Sequence, residues 1–192
     1  MIKFLLFLIK CFLKCVFRIR INGADNIPSE GGCMICANHI SAWDPVVLIC
    51  CMPRRISFVS KEEMKSVPVI GWLLSKMDVV FIKRGSGDLG AIKACLKGLD
   101  DGKAIGIFPT GTRERILPDA KPKSGATLIA AKSGTKVVPV GIDATYKMFS
   151  KINITVSEPM DFSEYKGVKL TQDVLESKTN EIYDKIIENR YC

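Results

Sequence analysis

The chain has 192 residues, 47% of them apolar and 25% charged, with a net charge of +8. That length and balance suit one domain with a substantial core and exclude a disordered chain, and eight cysteines are too few for a disulfide-stapled scaffold. Residues 1–20 hold Lys3, Lys10, Lys14, Arg18 and Arg20 with no acidic residue; basic charge gathered at one greasy end argues for an anionic membrane surface and against nucleic acid, whose binders spread it over a folded face.

Residues 1–15 read MIKFLLFLIKCFLKC. The apolar run before Lys10 is too short for a secretory signal, and no small-residue cleavage site follows it. Fifteen helical residues reach about 22 Å, short of a hydrocarbon core of about 30 Å. At helical spacing the three lysines fall within an arc of about 40°, and Phe, Leu and Ile fill most of the remaining surface. This pattern predicts an amphipathic helix lying on the membrane surface; a core helix with its lysines in solvent is the plainer alternative.

Beyond it, Phe17, Ile19 and Ile21 alternate with arginines as a half-buried strand that ends at Asn22-Gly23. Cys33–Ala37 is a short apolar strand, and Asp44-Pro45 predicts a helix start with Asp44 as its cap. Strands follow at Ile56–Val59, Val79–Ile82, Ala104–Phe108, Val137–Ile142 and Ile152–Val156. Helices are expected over Val67–Leu74, along the Ile92, Cys95, Leu96, Leu99 face, and from a Ser124 cap through Ala131 to Gly134. A closing helix over 171–190 has Val174, Leu175, Ile182, Tyr183, Ile186 and Ile187 as its buried stripe. The alternation implies a single α/β domain over residues 16–192, with a central mostly parallel or mixed sheet flanked by helices.

Several side-chain groupings could carry chemistry. Cys33-x-x-Cys36-x-x-His39 has metal-like spacing, but a strand sends its two cysteines to opposite faces and no second pair completes a site, so they read as core residues and no metal is expected. Gly85–Gly90 matches a dinucleotide fingerprint, yet Lys83 and Arg84 precede it and the following strand ends at Thr110 where an acid is needed; no cofactor is expected. His39 is the only histidine, and it sits in a strand-to-helix loop five residues before Asp44. The acid could fix the imidazole tautomer and leave the other ring nitrogen as a base, or it could merely cap its helix. No nucleophile elbow accompanies the pair, which suggests direct activation of a hydroxyl or of water. Arg84 and Arg113, with Lys61 as a third charge, lie at strand ends beside glycines and could bind phosphate.

The order of four blocks resembles that of the glycerolipid acyltransferases, most nearly the bacterial 1-acylglycerol-3-phosphate (lysophosphatidic acid) acyltransferases. The blocks are Asn38-His39…Asp44-Pro45, Phe81-Ile82-Lys83-Arg84, Phe108-Pro109-Thr110-Gly111-Thr112-Arg113 and Val138-Pro139-Val140. The resemblance covers about residues 17–160. It implies transfer of an acyl group from acyl-CoA or acyl-carrier protein to the sn-2 hydroxyl of a lysophospholipid, giving phosphatidic acid at the cytoplasmic face of the cell membrane. His39 would be the base and Asp44 its orienting partner; Arg84, Arg113 and Lys61 would hold the acceptor phosphate beside Thr110, Gly111 and Thr112.

One position departs from the pattern: Thr110 stands where the family's third block has Glu. The substitution leaves open natural variation, another lysolipid acceptor, or a weakened or silent lipid-binding relative.

Overall fold

The apolar runs of the sequence become strands and buried helix faces in the computed structural model, which describes residues 2–61, 79–82, 89–113 and 121–190. Helix α1 (Ile2–Val16) is followed by β1 (Arg18–Asn22), β2 (Cys33–Ala37), α2 (Asp44–Cys51), β3 (Ile56–Lys61) and β4 (Val80–Ile82). Then come α3 (Leu89–Asp100), β5 (Ala104–Ile107), α4 (Gly125–Ser133), β6 (Lys136–Ala144), β7 (Lys151–Val156) and α5 (Gln172–Glu188). The predicted helix over Val67–Leu74 lies outside the described residues.

The seven strands form one sheet in the order β1-β7-β6-β2-β5-β3-β4. Strands β6, β2, β5, β3 and β4 are mutually parallel, so their carboxyl ends share one edge. Strand β7 runs antiparallel to β6, and β1 is parallel to β7. Such an edge of an open α/β sheet is where helix dipoles and loop backbone converge on ligands.

Alternation along the central strand sorts the core into two layers. Cys33, Ile35 and Ala37 face α1 and α2, packing with Leu13, Phe17, Val47, Leu48 and the β6–β7 residues Val140, Ile142 and Ile154. Met34 and Cys36 face the other way, toward Ile92, Cys95 and Leu99 of α3, Ile129 and Ala130 of α4, and Ile182 and Ile186 of α5. Cys33 and Cys36 therefore do lie on opposite faces, and the seven described cysteines are free thiols. At the amino-terminal end of the strands, Arg54 donates from Nη1 to Pro28 O at 2.7 Å and from Nη2 to Gly31 O at 2.6 Å, tying the loop after α2 to the loop that leads into β2.

Helix α1 has two faces. Leu6, Ile9, Leu13 and Val16 pack on the core, whereas Phe4 and Phe12 are 66% and 54% exposed, with Phe7 and Leu8 beside them. Among the described residues no helix is long and apolar enough to cross a membrane.

Three local expectations are corrected. Asp44 is the first residue of α2, not its cap; Trp43 holds the cap position with helical backbone angles. The Asp44 carboxylate is committed to the preceding loop instead. Ser124 sits at the α4 cap position but makes no capping bond, because its own backbone is already helical (φ −69°, ψ −2°), which aims the hydroxyl away from the free N–H groups. In α5, Val174 is exposed and the stripe includes Thr179, buried against Thr127 of α4 with their hydroxyl oxygens 2.7 Å apart. The contact angle follows the spacing of Leu175, Thr179, Ile182 and Ile186, and Val174 lies about 100° off it. Thr171 caps this helix, its hydroxyl accepting from Val174 N.

Candidate active site

His39 follows directly from the central strand. Asn38, fully buried just past β2, donates through Nδ2 to Ile142 O at 2.8 Å and accepts at Oδ1 from Ile142 N at 2.7 Å. The side-chain amide thus replaces a backbone pair to β6 and fixes where the chain leaves the sheet. His39 then turns into a tight loop wrapped around one carboxylate.

That carboxylate belongs to Asp44 and has no exposure at all. Its Oδ2 accepts from Ile40 N and Ser41 N, each at 2.7 Å, and from His39 Nδ1 at 2.8 Å. Its Oδ1 accepts from the Tyr146 hydroxyl at 2.6 Å. Four donors around a buried acid compensate the loss of its hydration. Because an ionised carboxylate can only accept, the shared proton sits on Nδ1, and Nε2 carries the lone pair. Among the described residues nothing bonds Nε2, and the imidazole keeps 18% of its surface open.

A ring stack sets the imidazole plane. His39 lies on Phe108 with centroids 4.1 Å apart and planes 14° from parallel, and Phe108 lies on Phe58 at 5.1 Å and 16°. Gly106 of β5 makes room for this stack, since a Cβ there would meet the Phe58 ring at 2.5 Å.

Phe108 also opens a tight turn. Gly111 N donates to Phe108 O at 2.9 Å, with Gly111 at φ +68°. Thr110 is only 3% exposed, and its hydroxyl donates to Thr112 O at 2.9 Å, closing the turn. Lys123 N donates to Pro109 O at 2.9 Å, and the Lys123 ammonium stands 3.7 Å from where a Cβ on Gly111 would be. An i to i+3 turn keeps its ends within about 7 Å, so the turn that Lys123 packs beside is the one that supports His39 through Phe108.

Of the predicted site residues, the structure joins His39 and Asp44 directly and sets Thr110, Gly111 and Thr112 on the adjoining turn. Arg113 is exposed just beyond that turn. Lys61 ends β3, three positions past the Phe58–Gly106 pair toward the same sheet edge. Arg84 and the glycines at 85 and 87 lie outside the described residues. Phe108 opens the third block read in the sequence, though its stacking on His39 was not foreseen; Tyr146 and Lys123 were not singled out, since each comes from a distant segment and no short-range spacing could have marked it.

The acyltransferase family profile matches residues 18–143, most of the chain and all of the dyad loop and the turn. The chain is 33% identical over 181 residues to the 1-acyl-sn-glycerol-3-phosphate acyltransferase of Borreliella burgdorferi, covering 89% of this chain and 71% of that protein. It is 27% identical over 172 residues to the enzyme of that name from Bacillus subtilis, covering 86% and 85%. Among solved structures it superposes on the 1-acyl-sn-glycerophosphate acyltransferase PlsC from Thermotoga maritima with a TM-score of 0.71 and 27% identity, over 97% of this chain and 80% of that one. With its family's profile spanning both the histidine–aspartate loop and the turn beneath it, the chain belongs to the acyltransferase family.

Proposed function

We infer that this chain is a 1-acyl-sn-glycerol-3-phosphate acyltransferase that works at a membrane surface. The observation that carries the reading is the His39–Asp44 pair at the carboxyl edge of the parallel strands, with its base nitrogen unbonded among the described residues. In this mechanism Nε2 takes the proton of the sn-2 hydroxyl as the oxygen attacks the thioester carbonyl of acyl-CoA or acyl-carrier protein. The tetrahedral intermediate collapses with loss of the thiolate, which recovers that proton from the imidazolium. Asp44 holds the ring in the required tautomer and offsets the charge that appears on it; general-base catalysis by a side chain so positioned contributes about 10²–10⁴ in rate. No acyl-enzyme forms.

The acceptor phosphate is held over the Thr110–Thr112 turn by Arg113 and Lys123 beside it, with Lys61, the last residue of β3, and Arg84, which the sequence places after β4, as further cations of the same phosphate site. Thr110, whose hydroxyl is used within the turn, gives the turn its shape. The amphipathic α1 anchors the enzyme on anionic lipid at the cytoplasmic face of the cell membrane, where the acceptor and product reside.

The test is acyl transfer to lysophosphatidic acid by wild type and by His39→Ala. The wild type produces phosphatidic acid, and the variant loses it with an unchanged melting temperature. Wild-type protein that binds lipid vesicles but makes no phosphatidic acid would instead identify a silent lipid-binding relative.

A further inference from the structure

Among the described residues, Leu89, Val168 and Val174 are exposed singly, whereas two stretches push neighbouring bulky apolar side chains into solvent together. One is the outward face of α1; the other is the connection between β6 and β7, where Met148 and Phe149 are 72% and 63% exposed. This connection is held in an unfavourable backbone form. Tyr146 and Phe149 both have left-handed angles, φ 56° and 61°, a region that bulky side chains rarely enter. Folding alone gains nothing from a strained phenylalanine in water.

The connection is joined to the end of α1. Phe149 N donates to Val16 O at 2.7 Å, and Arg18 N donates to Ser150 O at 3.0 Å. Phe17, at the helix end, packs edge-on against both Tyr146 at 5.9 Å and the half-exposed Trp43 at 6.5 Å. Buried Phe17 therefore joins the end of α1, Trp43 and this connection into one packed unit. Its charge is mostly positive: Lys147 and Lys151 border the loop tip and residues 1–20 hold five basic residues and no acidic one, while Asp143 stands at the base of the hairpin. It also lies at the catalytic edge. Ala144 stands four positions past the Ala37–Val140 pair, a rise of about 13 Å beyond the end of β2.

We propose that the Thr145–Ser150 connection is a second membrane contact, with Met148 and Phe149 entering the acyl boundary of an anionic bilayer while Lys147 and Lys151 remain among the headgroups. This rests on the membrane-surface reading above and deepens it. Apolar tips bordered by cations match a lipid interface. The contact is coupled to the chemistry, because the Tyr146 hydroxyl in the same loop donates to Asp44 Oδ1. Seating the loop in lipid sets the height of the His39–Asp44 pair above the headgroups, so a lysolipid can present its hydroxyl without leaving the bilayer.

The test uses full-length protein and vesicles of phosphatidylethanolamine and phosphatidylglycerol. Met148→Ser/Phe149→Asn removes both apolar tips and keeps the fold, since asparagine accepts the left-handed angle at 149 more readily than phenylalanine. Vesicle affinity is expected to fall about tenfold or more. Transfer to vesicle-borne lysophosphatidic acid falls with it, while transfer to a short-chain, water-soluble acceptor is unchanged. Vesicle binding equal to wild type overturns the inference, as does an equal loss on both acceptors, which would mean the loop acts only on the dyad. If wild-type protein does not bind these vesicles, the membrane-surface reading itself fails, a result distinct from either of those.

Discussion

Asp44→Asn tests the dyad most directly, because the structure fixes what the change removes. The amide oxygen can take the place of Oδ2 and still accept from Ile40 N, Ser41 N and His39 Nδ1. The NH₂ group then faces the Tyr146 hydroxyl, which can rotate to accept. Geometry and tautomer survive; the negative charge does not. Hydrogen bonds to a charged acceptor exceed neutral ones by about 1 kcal/mol each, and three such bonds are weakened. Relief of the buried charge offsets part of that sum, leaving a net cost of roughly 1–3 kcal/mol. For a domain of this size each kcal/mol lowers the melting temperature by about 2–4 °C. Catalysis should fall much further, by about 10²–10⁴ in kcat/KM, because the imidazolium formed during proton transfer loses its counter-charge. The assay pairs thermal melting with phosphatidic acid formation at saturating thioester. A variant that melts a few degrees lower yet turns over within about threefold of wild type, a barrier change under 1 kcal/mol, would refute the proposed role of Asp44.

Gly106→Ala forces the Phe58 ring to move, at a cost of about 1–3 kcal/mol, and should lower kcat because Phe108 and His39 are stacked on that ring; calorimetry and turnover together check it. Lys123→Ala should raise KM for the phosphate-bearing acceptor by about tenfold or more while leaving KM for the thioester unchanged, a split read by varying each substrate in turn. Thr110→Val keeps the side chain's volume but removes the donor to Thr112 O, and should cost about 1 kcal/mol in a denaturant melt. Burial pushes the Cys36 thiol up to about 12, and those of Cys50 and Cys95 to about 11, from an ordinary 9.0. Unfolded chains then lose thiol protons first, so stability is whole below pH 9 and falls as pH rises toward 11–12, measurable as a falling unfolding midpoint.

Local chemistry was legible in the sequence and long-range closure was not. Cys33–Ala37 could be read as a buried strand because five small or apolar residues between turn signals have few other fates, and the two faces of that strand follow from its period of two. The His39–Asp44 contact could be anticipated from a five-residue spacing, but not decided. Whether the acid faces its own helix or the loop before it depends on Ile40 N, Ser41 N and a tyrosine 102 residues away. The same limit applies to α5, where Thr179 replaced Val174 in the stripe because a hydroxyl partner existed on α4. A binary apolar pattern cannot register a buried polar pair.

The reversal of β7 carries a consequence that the family's sequence blocks do not state. Had the sheet stayed parallel throughout, the chain leaving β6 would have crossed to the amino-terminal edge after Tyr146, and β7 and β1 would not start beside the dyad loop. A hairpin instead holds residues 145–150 at the carboxyl edge, and β1, parallel to β7, brings the end of α1 to the same place. The His39–Asp44 loop, the Phe108–Gly111 turn and the apolar loop tip thus lie on one side of the molecule for a topological reason. An enzyme whose acceptor is confined to a surface needs its base and its anchors on the same side, and in this fold one antiparallel strand pair achieves that.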